Sequence, residues 1–448
     1  MPVNFVFGQR PWDVKRSVET HAFRYILIEF VYARQAQLSE HFHFYRVYGV
    51  RYVGMRLLHS STPTSKPILN NALKLLVKSM KSKWRILTLG AKWDRCLVPV
   101  YEATGPSGVY PLIKTLLTNK CTNNCTYCPF RAKRKTRRSE WNPEKLAKIT
   151  LNLWKTQKIK GLFLSSSIPK DPDTVVENQL QVLRKLRKSG FTGYIHIKLM
   201  PGVGRHLIVE AVELADRIGI NLEAPESEIF QEICPDKGSY KQDIIKRLKW
   251  IVAEVEKARK RRQKPQYGFG RFGADTQMIV GATEDDDLQH LETTEWLYKR
   301  LGVSRVYYSG FEPQPNTPLE KRPPCPKSRT RRLYQASFLI RDYKITVEEL
   351  AQILDDRLML PDVDPKKALA HLNQHLFPLD INQATYYELL RIPGIGPRHA
   401  REILSYREHR PITRVSDLEK VLGARLARNV LPYVHLKYNK LSSYSIKP

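Results

Sequence analysis

Between residues 110 and 308, short apolar runs alternate with longer stretches in which apolar residues recur every three or four positions. That alternation predicts repeated strand and helix units around a parallel sheet. The runs at 111–117, 161–164, 194–199, 220–222, 277–280 and 306–308 read as strands, and the periodic stretches at 143–156, 173–189, 205–217, 240–260 and 285–301 as helices between them. Asn142-Pro143 and Asp171-Pro172 mark two helix starts, each a capping side chain followed by a proline whose missing N–H costs nothing in the first turn. Upstream, 60–67 is rich in Ser, Thr and Pro and reads as a linker, and 68–80 has the spacing of an amphipathic helix. Before the linker, aromatics and arginines mix without a sustained period, so Phe42-His43-Phe44-Tyr45-Arg46-Val47-Tyr48 favours neither helix nor strand.

After the sixth strand the pattern changes. Prolines at 313, 315, 318, 323, 324 and 326 mark a connector, in which Cys325 reads as a linker thiol. Further on, Asn382 reads as the cap of a helix through 386–391, and Ile392-Pro393-Gly394-Ile395-Gly396-Pro397-Arg398-His399-Ala400 turns tightly into a second helix at 398–407. Gly394 and Gly396 let the backbone approach a phosphate, toward which the free N–H groups of the following helix would point. Arg398, Arg401 and Lys420 are the expected phosphate partners. The stretch resembles the helix-hairpin-helix module, which grips the nucleic-acid backbone without reading bases, and 415–425 resembles a degenerate second copy. The expected plan is a basic N-terminal segment at 1–69, a sheet domain at 70–312, a connector with helices at 313–375, and an all-α nucleic-acid-binding domain at 376–448.

With 448 residues, 42% of them hydrophobic, the chain can bury substantial cores and is not wholly disordered. Its formal charge of +31 makes a polyanion the expected partner. A membrane is the competing polyanion, but the sequence has no apolar run of about 18 residues and no signal-peptide pattern. The expectation is a cytoplasmic protein.

Cys121, Cys125 and Cys128 stand at C-x3-C-x2-C spacing directly after the first predicted strand. A structural zinc site wants four closed ligands, commonly from paired CxxC arms, and no second arm follows at a suitable distance. Three thiolates on one short loop suit three corners of a cubane iron-sulfur cluster, leaving its fourth iron open. Cys96, nearby, reads as a buried or incidental thiol. Behind the loop, Arg131, Lys133, Arg134, Lys135, Arg137 and Arg138 place six cations in eight residues. Such a run is either a solvated face or a hold on phosphates at the rim of the site. Two more basic clusters follow at 257–264 and 321–332.

The cysteine loop, with Tyr127 as the aromatic before its last cysteine, resembles the cluster loop of the radical S-adenosylmethionine (radical SAM) superfamily. The resemblance implies a partial (β/α)6 barrel, a 4Fe-4S cluster on Cys121, Cys125 and Cys128, and reductive cleavage of SAM to a 5′-deoxyadenosyl radical. It also implies SAM contacts at the ends of strands. There Ser165-Ser166-Ser167 replaces the usual Gly-Gly-Glu, with Ser165 and Ser167 taking the amino group. Glu223 is expected to meet the ribose or amine, or else to pair with a barrel arginine. Gly281 would lie against adenine, and Lys198 would meet the SAM carboxylate or a phosphate. Two further phrases, Arg332-Leu333-Tyr334-Gln335-Ala336 before a helix and His375-Leu376-Phe377-Pro378-Leu379-Asp380-Ile381-Asn382, resemble radical SAM proteins described as DNA modification or repair proteins. The expected partners are therefore nucleic acid, DNA before RNA, and an electron donor, with a glycosylase-like companion left open and no membrane. The competing readings are a tRNA- or rRNA-modifying enzyme and a non-enzymatic DNA-binding iron-sulfur protein.

Overall fold

The computed structural model describes residues 43–47, 50–54, 100–105, 108–260 and 266–436. The helix expected at 68–80, Cys96 and the end of the basic cluster at 257–264 lie outside them. Contacts divide the chain into two units, 1–86 and 87–448. In the first, strands β1 (His43–Val47) and β2 (Val50–Gly54) pair as an antiparallel hairpin, where the sequence favoured no element.

The second unit contains a seven-stranded sheet whose spatial order follows the chain: β3 (Val100–Gly105), β4 (Gly108–Leu116), β5 (Gly161–Ser165), β6 (Tyr194–Lys198), β7 (Arg217–Gly219), β8 (Ala274–Val280) and β9 (Arg305–Gly310). β3, unforeseen in the sequence, runs antiparallel to β4 at one edge; β4 to β9 are parallel. Helices α1 (Pro143–Lys155), α2 (Pro172–Lys188), α3 (Arg205–Leu214), α4 (Ser227–Ile233), α5 (Lys246–Arg259) and α6 (Asp287–Trp296) lie between the strands in the chain. The result is the expected partial barrel, a curled parallel half-barrel with its apolar core between sheet and helices. Asn142 and Asp171 cap α1 and α2 as expected, accepting from Lys145 N at 3.0 Å and Thr174 N at 2.8 Å.

Strand four lies earlier than its apolar run. Ile220 and Leu222 are fully buried and look like strand residues, but their ladder partner is a side chain: Thr276 Oγ1 donates to Ile220 O and accepts from Leu222 N. The continuous backbone ladder is therefore confined to 217–219 and resumes only at Glu223, whose N–H donates to Gln277 O and whose carbonyl accepts from Ile279 N. The helix expected at 205–217 stops at Leu214, since Arg217 already pairs with His196 in the sheet.

Beyond the sheet, α7 (Lys327–Tyr343) packs on β9 and α6, followed by α8 (Val347–Ala351) and α9 (Pro365–Leu372). The Arg332 to Ala336 phrase lies inside α7 rather than before a helix. The C-terminal module has its own core, built on Leu389, Ile392, Ile395, Ala400, Ile403 and Leu418 among others. Its helices are α10 (Tyr386–Arg391), α11 (Pro397–His409), α12 (Val415–Leu422) and α13 (Ala424–Val430). Thr385, not Asn382, caps α10, completing a capping box with Glu388. Asn382 is used elsewhere: its amide donates to Ile412 O at 3.0 Å and accepts from Ile412 N at 2.8 Å, clamping the loop after α11.

Gly394 sits at φ +91° in the hairpin, where an added Cβ would come 2.8 Å from Leu426 Cδ1. Gly394→Val is expected to cost about 1–3 kcal/mol from backbone strain and overlap together, read as a lowered Tm against wild type.

Candidate active site

The cysteine loop leaves β4 at the carboxyl ends of the parallel strands, where such sheets carry their sites. Three anchors fix its course. Asn119, fully buried, accepts from Ser139 N at 2.6 Å and donates to Arg137 O at 2.9 Å, closing the base of the loop. Thr122 N reaches Ile168 O at 2.8 Å, tying the loop to the segment after β5. Thr126 N donates to Ile233 O at 2.9 Å, and Asn124 donates through backbone and side chain to Asp236, tying it to the end of α4.

Two of the six cations behind the loop have internal tasks. Arg138 donates to the carbonyls of Asn119, Phe130, Arg131 and Arg134, and Arg134 donates to Pro129 O and Pro315 O. Five fixed guanidinium donors suit that knot of carbonyls. The rim charge therefore rests on the other cations of the run.

The loop opens on a cavity lined by all three cysteines, Ser165, Ser167, Lys198, Asn221, Glu223, Lys237, Ile279 and Phe311, among others. Its volume is about 200 Å³. A wider groove of about 590 Å³ lies between α6 and α8, around Trp296 and Glu348, but it carries none of the thiols. The thiols and strand ends single out the smaller cavity as the place for chemistry. Cys125 is buried, and Cys121 and Cys128 are half-buried. Among the described residues no three His, Cys, Asp or Glu side chains gather round a point one ion could occupy.

The thiols differ electrostatically. A hydrogen bond from Cys234 pulls the Cys125 thiol below its ordinary value against the effect of burial, with Lys237 assisting. Burial, with Cys125 second, pushes Cys128 up to about 12. Cys234 itself is fully buried at the end of α4.

Glu223 is 1% exposed and holds φ at +70°, a conformation unusual for a residue with a Cβ. Its carboxylate accepts from Lys237 Nζ at 2.5 Å and from Tyr127 OH at 3.0 Å. Its partner is a lysine from beyond α4 instead of the barrel arginine weighed above. Tyr127, the aromatic of the cysteine motif, thereby fixes the loop to the end of the fourth parallel strand. Nearby, Asn221 Oδ1 is buried without a hydrogen-bond partner, an acceptor suited to a hydroxyl or ammonium donor.

Lys198 lines the cavity but is committed below it, donating to fully buried Asp275. His196 joins the same carboxylate at 2.8 Å. Burial alone would raise Asp275, but His196, Lys198 and Arg217 outweigh it and hold the carboxyl well below the usual carboxylate range.

The structure does not bring Gly281 to this cavity. Its N–H donates to both oxygens of Asp285, and its open face meets Cys325, where an added Cβ would lie 3.1 Å from Cys325 Cβ. Ile279, two residues earlier, faces the cavity in its place. Cys325 is thus packed against the end of β8 and donates weakly to Pro326 O.

In the C-terminal module, Gly394 is exposed and Gly396 half-buried at the start of α11, with Arg401 exposed one turn on. Arg398 is 84% exposed and pairs with Glu402 along the helix at 2.8 Å. The four residues therefore share one end of α11.

Sequence comparison matches residues 115–261 to the Radical SAM superfamily and residues 378–427 to the helix-hairpin-helix motif. Comparison with the curated proteins finds no match. Among solved structures, the chain is similar to methylornithine synthase (16% identity, 51% of this chain and 61% of that one, TM-score 0.38). It is also similar to HydG, a maturase of the [FeFe]-hydrogenase (11% identity, 71% and 80%, TM-score 0.39), and to HydG from Carboxydothermus hydrogenoformans (14%, 71% and 81%, TM-score 0.40). The match thus spans about three fifths of methylornithine synthase.

Proposed function

From a chain that carries a radical SAM domain and a C-terminal helix-hairpin-helix motif, we propose an enzyme that acts on nucleic acid, with DNA modification or repair as its task. Enzymes of this superfamily use a 4Fe-4S cluster and SAM, and the residues around the cavity fit those groups. Cys121, Cys125 and Cys128 would hold the cluster. Asn221, with its orphaned buried oxygen, Glu223 and the serines at 165 and 167 would hold SAM. When bound, the two supply reductive cleavage of the sulfonium and, from it, hydrogen-atom removal.

The protein's own part is positioning and exclusion of water. The Tyr127–Glu223–Lys237 chain keeps the cysteine loop registered on the sheet, and Phe311 and Ile279 wall the cavity. Gly394, Gly396, Arg398 and Arg401 would grip phosphates, aided by the chain's +31 charge. A reductant for the cluster is required, and a low-potential cluster suits a reducing cytoplasm. Among the described residues no helix is long and apolar enough to cross a membrane.

The observation that carries this reading is that the thiol loop and the hairpin belong to one unit, in which Arg391 of α10 ties the hairpin to Glu349 of α8 at 2.5 Å. The test is anaerobic: reconstitute the full chain, add SAM and a reductant, and measure 5′-deoxyadenosine release alone, with DNA and with RNA. Release stimulated several-fold by DNA is the expected result. Stimulation by RNA alone would move the substrate to RNA, and indifference to both would remove nucleic acid from the account.

A further inference from the structure

Directly behind the hairpin lies a lysine that the phosphate-gripping reading does not use. Lys366, near the start of α9, is 8% exposed, and its Nζ donates to the carbonyl of Ile395. That carbonyl belongs to the peptide joining Ile395 to Gly396. In a trans peptide the C=O and N–H point opposite ways. With the carbonyl turned inward to Lys366, the Gly396 N–H is turned outward, at the start of α11 where the helix's first N–H groups have no partners within the helix. The ammonium is enclosed: Asp364 faces it from its own helix, the Tyr343 ring of α7 lies 4.8 Å away, and the hairpin supplies the carbonyl. The nearby Glu349–Arg391 pair compensates itself.

Resting on the reading that this hairpin takes nucleic acid, we propose that Lys366 is a positioning residue for the phosphate. Its buried ammonium polarises the Ile395–Gly396 peptide and adds a positive charge behind the N–H that meets the anion. Hydrogen bonds strengthen one another along such a chain, and low dielectric keeps the charge felt. Lysine is suited to this place because burial pushes its amine down to about 7, with Asp364 only partly opposing. The charged form is therefore the form below neutrality. A phosphate arriving in front of the hairpin favours that form, so phosphate binding and protonation of Lys366 help each other. Affinity for nucleic acid should be greatest below pH 7 and fall as pH rises through it.

The test uses the full chain and a fluorescein-labelled duplex DNA, with matched single-stranded DNA and RNA, titrated at constant salt from pH 6 to 8.5 and followed by anisotropy. Wild type is expected to lose about tenfold in affinity across that range, the equivalent of about one unit of pKa coupling. Lys366→Arg, charged throughout, should bind tightly with a flat profile; Lys366→Met should bind weakly at every pH. Because the module also carries histidines, His399 at the start of α11 among them, the flattening in the arginine variant is the decisive readout: any contribution of theirs would persist in it. If Lys366→Met fails to fold, judged by circular dichroism, the Lys366→Arg profile alone decides. A wild-type slope retained in Lys366→Arg, or wild-type affinity in Lys366→Met, would overturn the proposal while leaving hairpin binding intact. Binding that is unchanged in Gly394→Val, or absent altogether, would overturn the nucleic-acid role of the hairpin and this proposal with it.

Discussion

Cys125→Ala is expected to yield a folded chain that retains little iron after anaerobic reconstitution and releases 5′-deoxyadenosine only at background. Cys125 is the central cysteine of the three and is 6% exposed. Its neighbour Thr126 is bonded to Ile233 O, so the loop cannot slide to offer a different residue without breaking that tie. Two remaining thiolates leave two corners of a cubane unsupported. The loss of one small buried side chain costs far less than the fold's total stability, so the defect should be one of metal loading rather than of folding. Iron and sulfide content separates the two. Cys234 is the one complication, because its thiol lies against Cys125 and could supply a replacement sulfur. The double variant Cys125→Ala, Cys234→Ala removes it and should show the same loss with no residual cluster absorbance.

The second large effect is expected below the cavity. Asp275→Ala should destabilise the protein by about 3–5 kcal/mol, lowering Tm by about 10 °C. Asp275 is fully buried, with Lys198 at 5% side-chain exposure bonded to one oxygen and His196 to the other. Removing the carboxylate strands the Lys198 ammonium and the Arg217 guanidinium in the interior of the half-barrel, and Arg217 already has a buried Nη1 without a partner. Leaving a buried charge uncompensated is more costly than the pair was favourable. Asp275→Asn keeps the shape and one acceptor but not the charge, and should fall between the two in a thermal melt. Equal melting of wild type and Asp275→Ala would show that the cluster of charges carries no net stability.

Much of this architecture was legible in the sequence because the signals were local. Five of the six parallel strands announced themselves by apolar runs, the helix starts by Asn142-Pro143 and Asp171-Pro172, the hairpin by its two glycines, and the cysteine loop by its spacing. What could not be read depended on partners distant in sequence. Ile220 and Leu222 are buried and extended, yet Thr276, 54 residues from Leu222, takes their hydrogen bonds with its hydroxyl, so burial alone misplaced the strand. Gly281 looked like backbone laid open for a ligand, and its N–H is instead occupied by Asp285. Half the meaning of Glu223 lay in Lys237, fourteen residues on and across a helix, and the position of Cys234 beside Cys125 spans more than a hundred residues. A clue to both was present in Cys234-Pro235-Asp236-Lys237, polar and thiol residues gathered directly after α4, but nothing in the sequence pointed that segment at the loop. The basic run at 131–138 shows the converse. Its charge suggested one task, and the carbonyls gathered by Arg134 and Arg138 gave those two residues another.

The central claim is that three cysteines on one loop hold a cluster with an iron left for SAM. Electron paramagnetic resonance of the reduced, anaerobically reconstituted full chain tests it most directly, recorded before and after SAM is added. The account predicts a 4Fe-4S signal, lost in Cys125→Ala, whose g values and line shape change when SAM binds. A 4Fe-4S spectrum unaffected by saturating SAM would contradict it, leaving the cluster a structural or electron-carrying group.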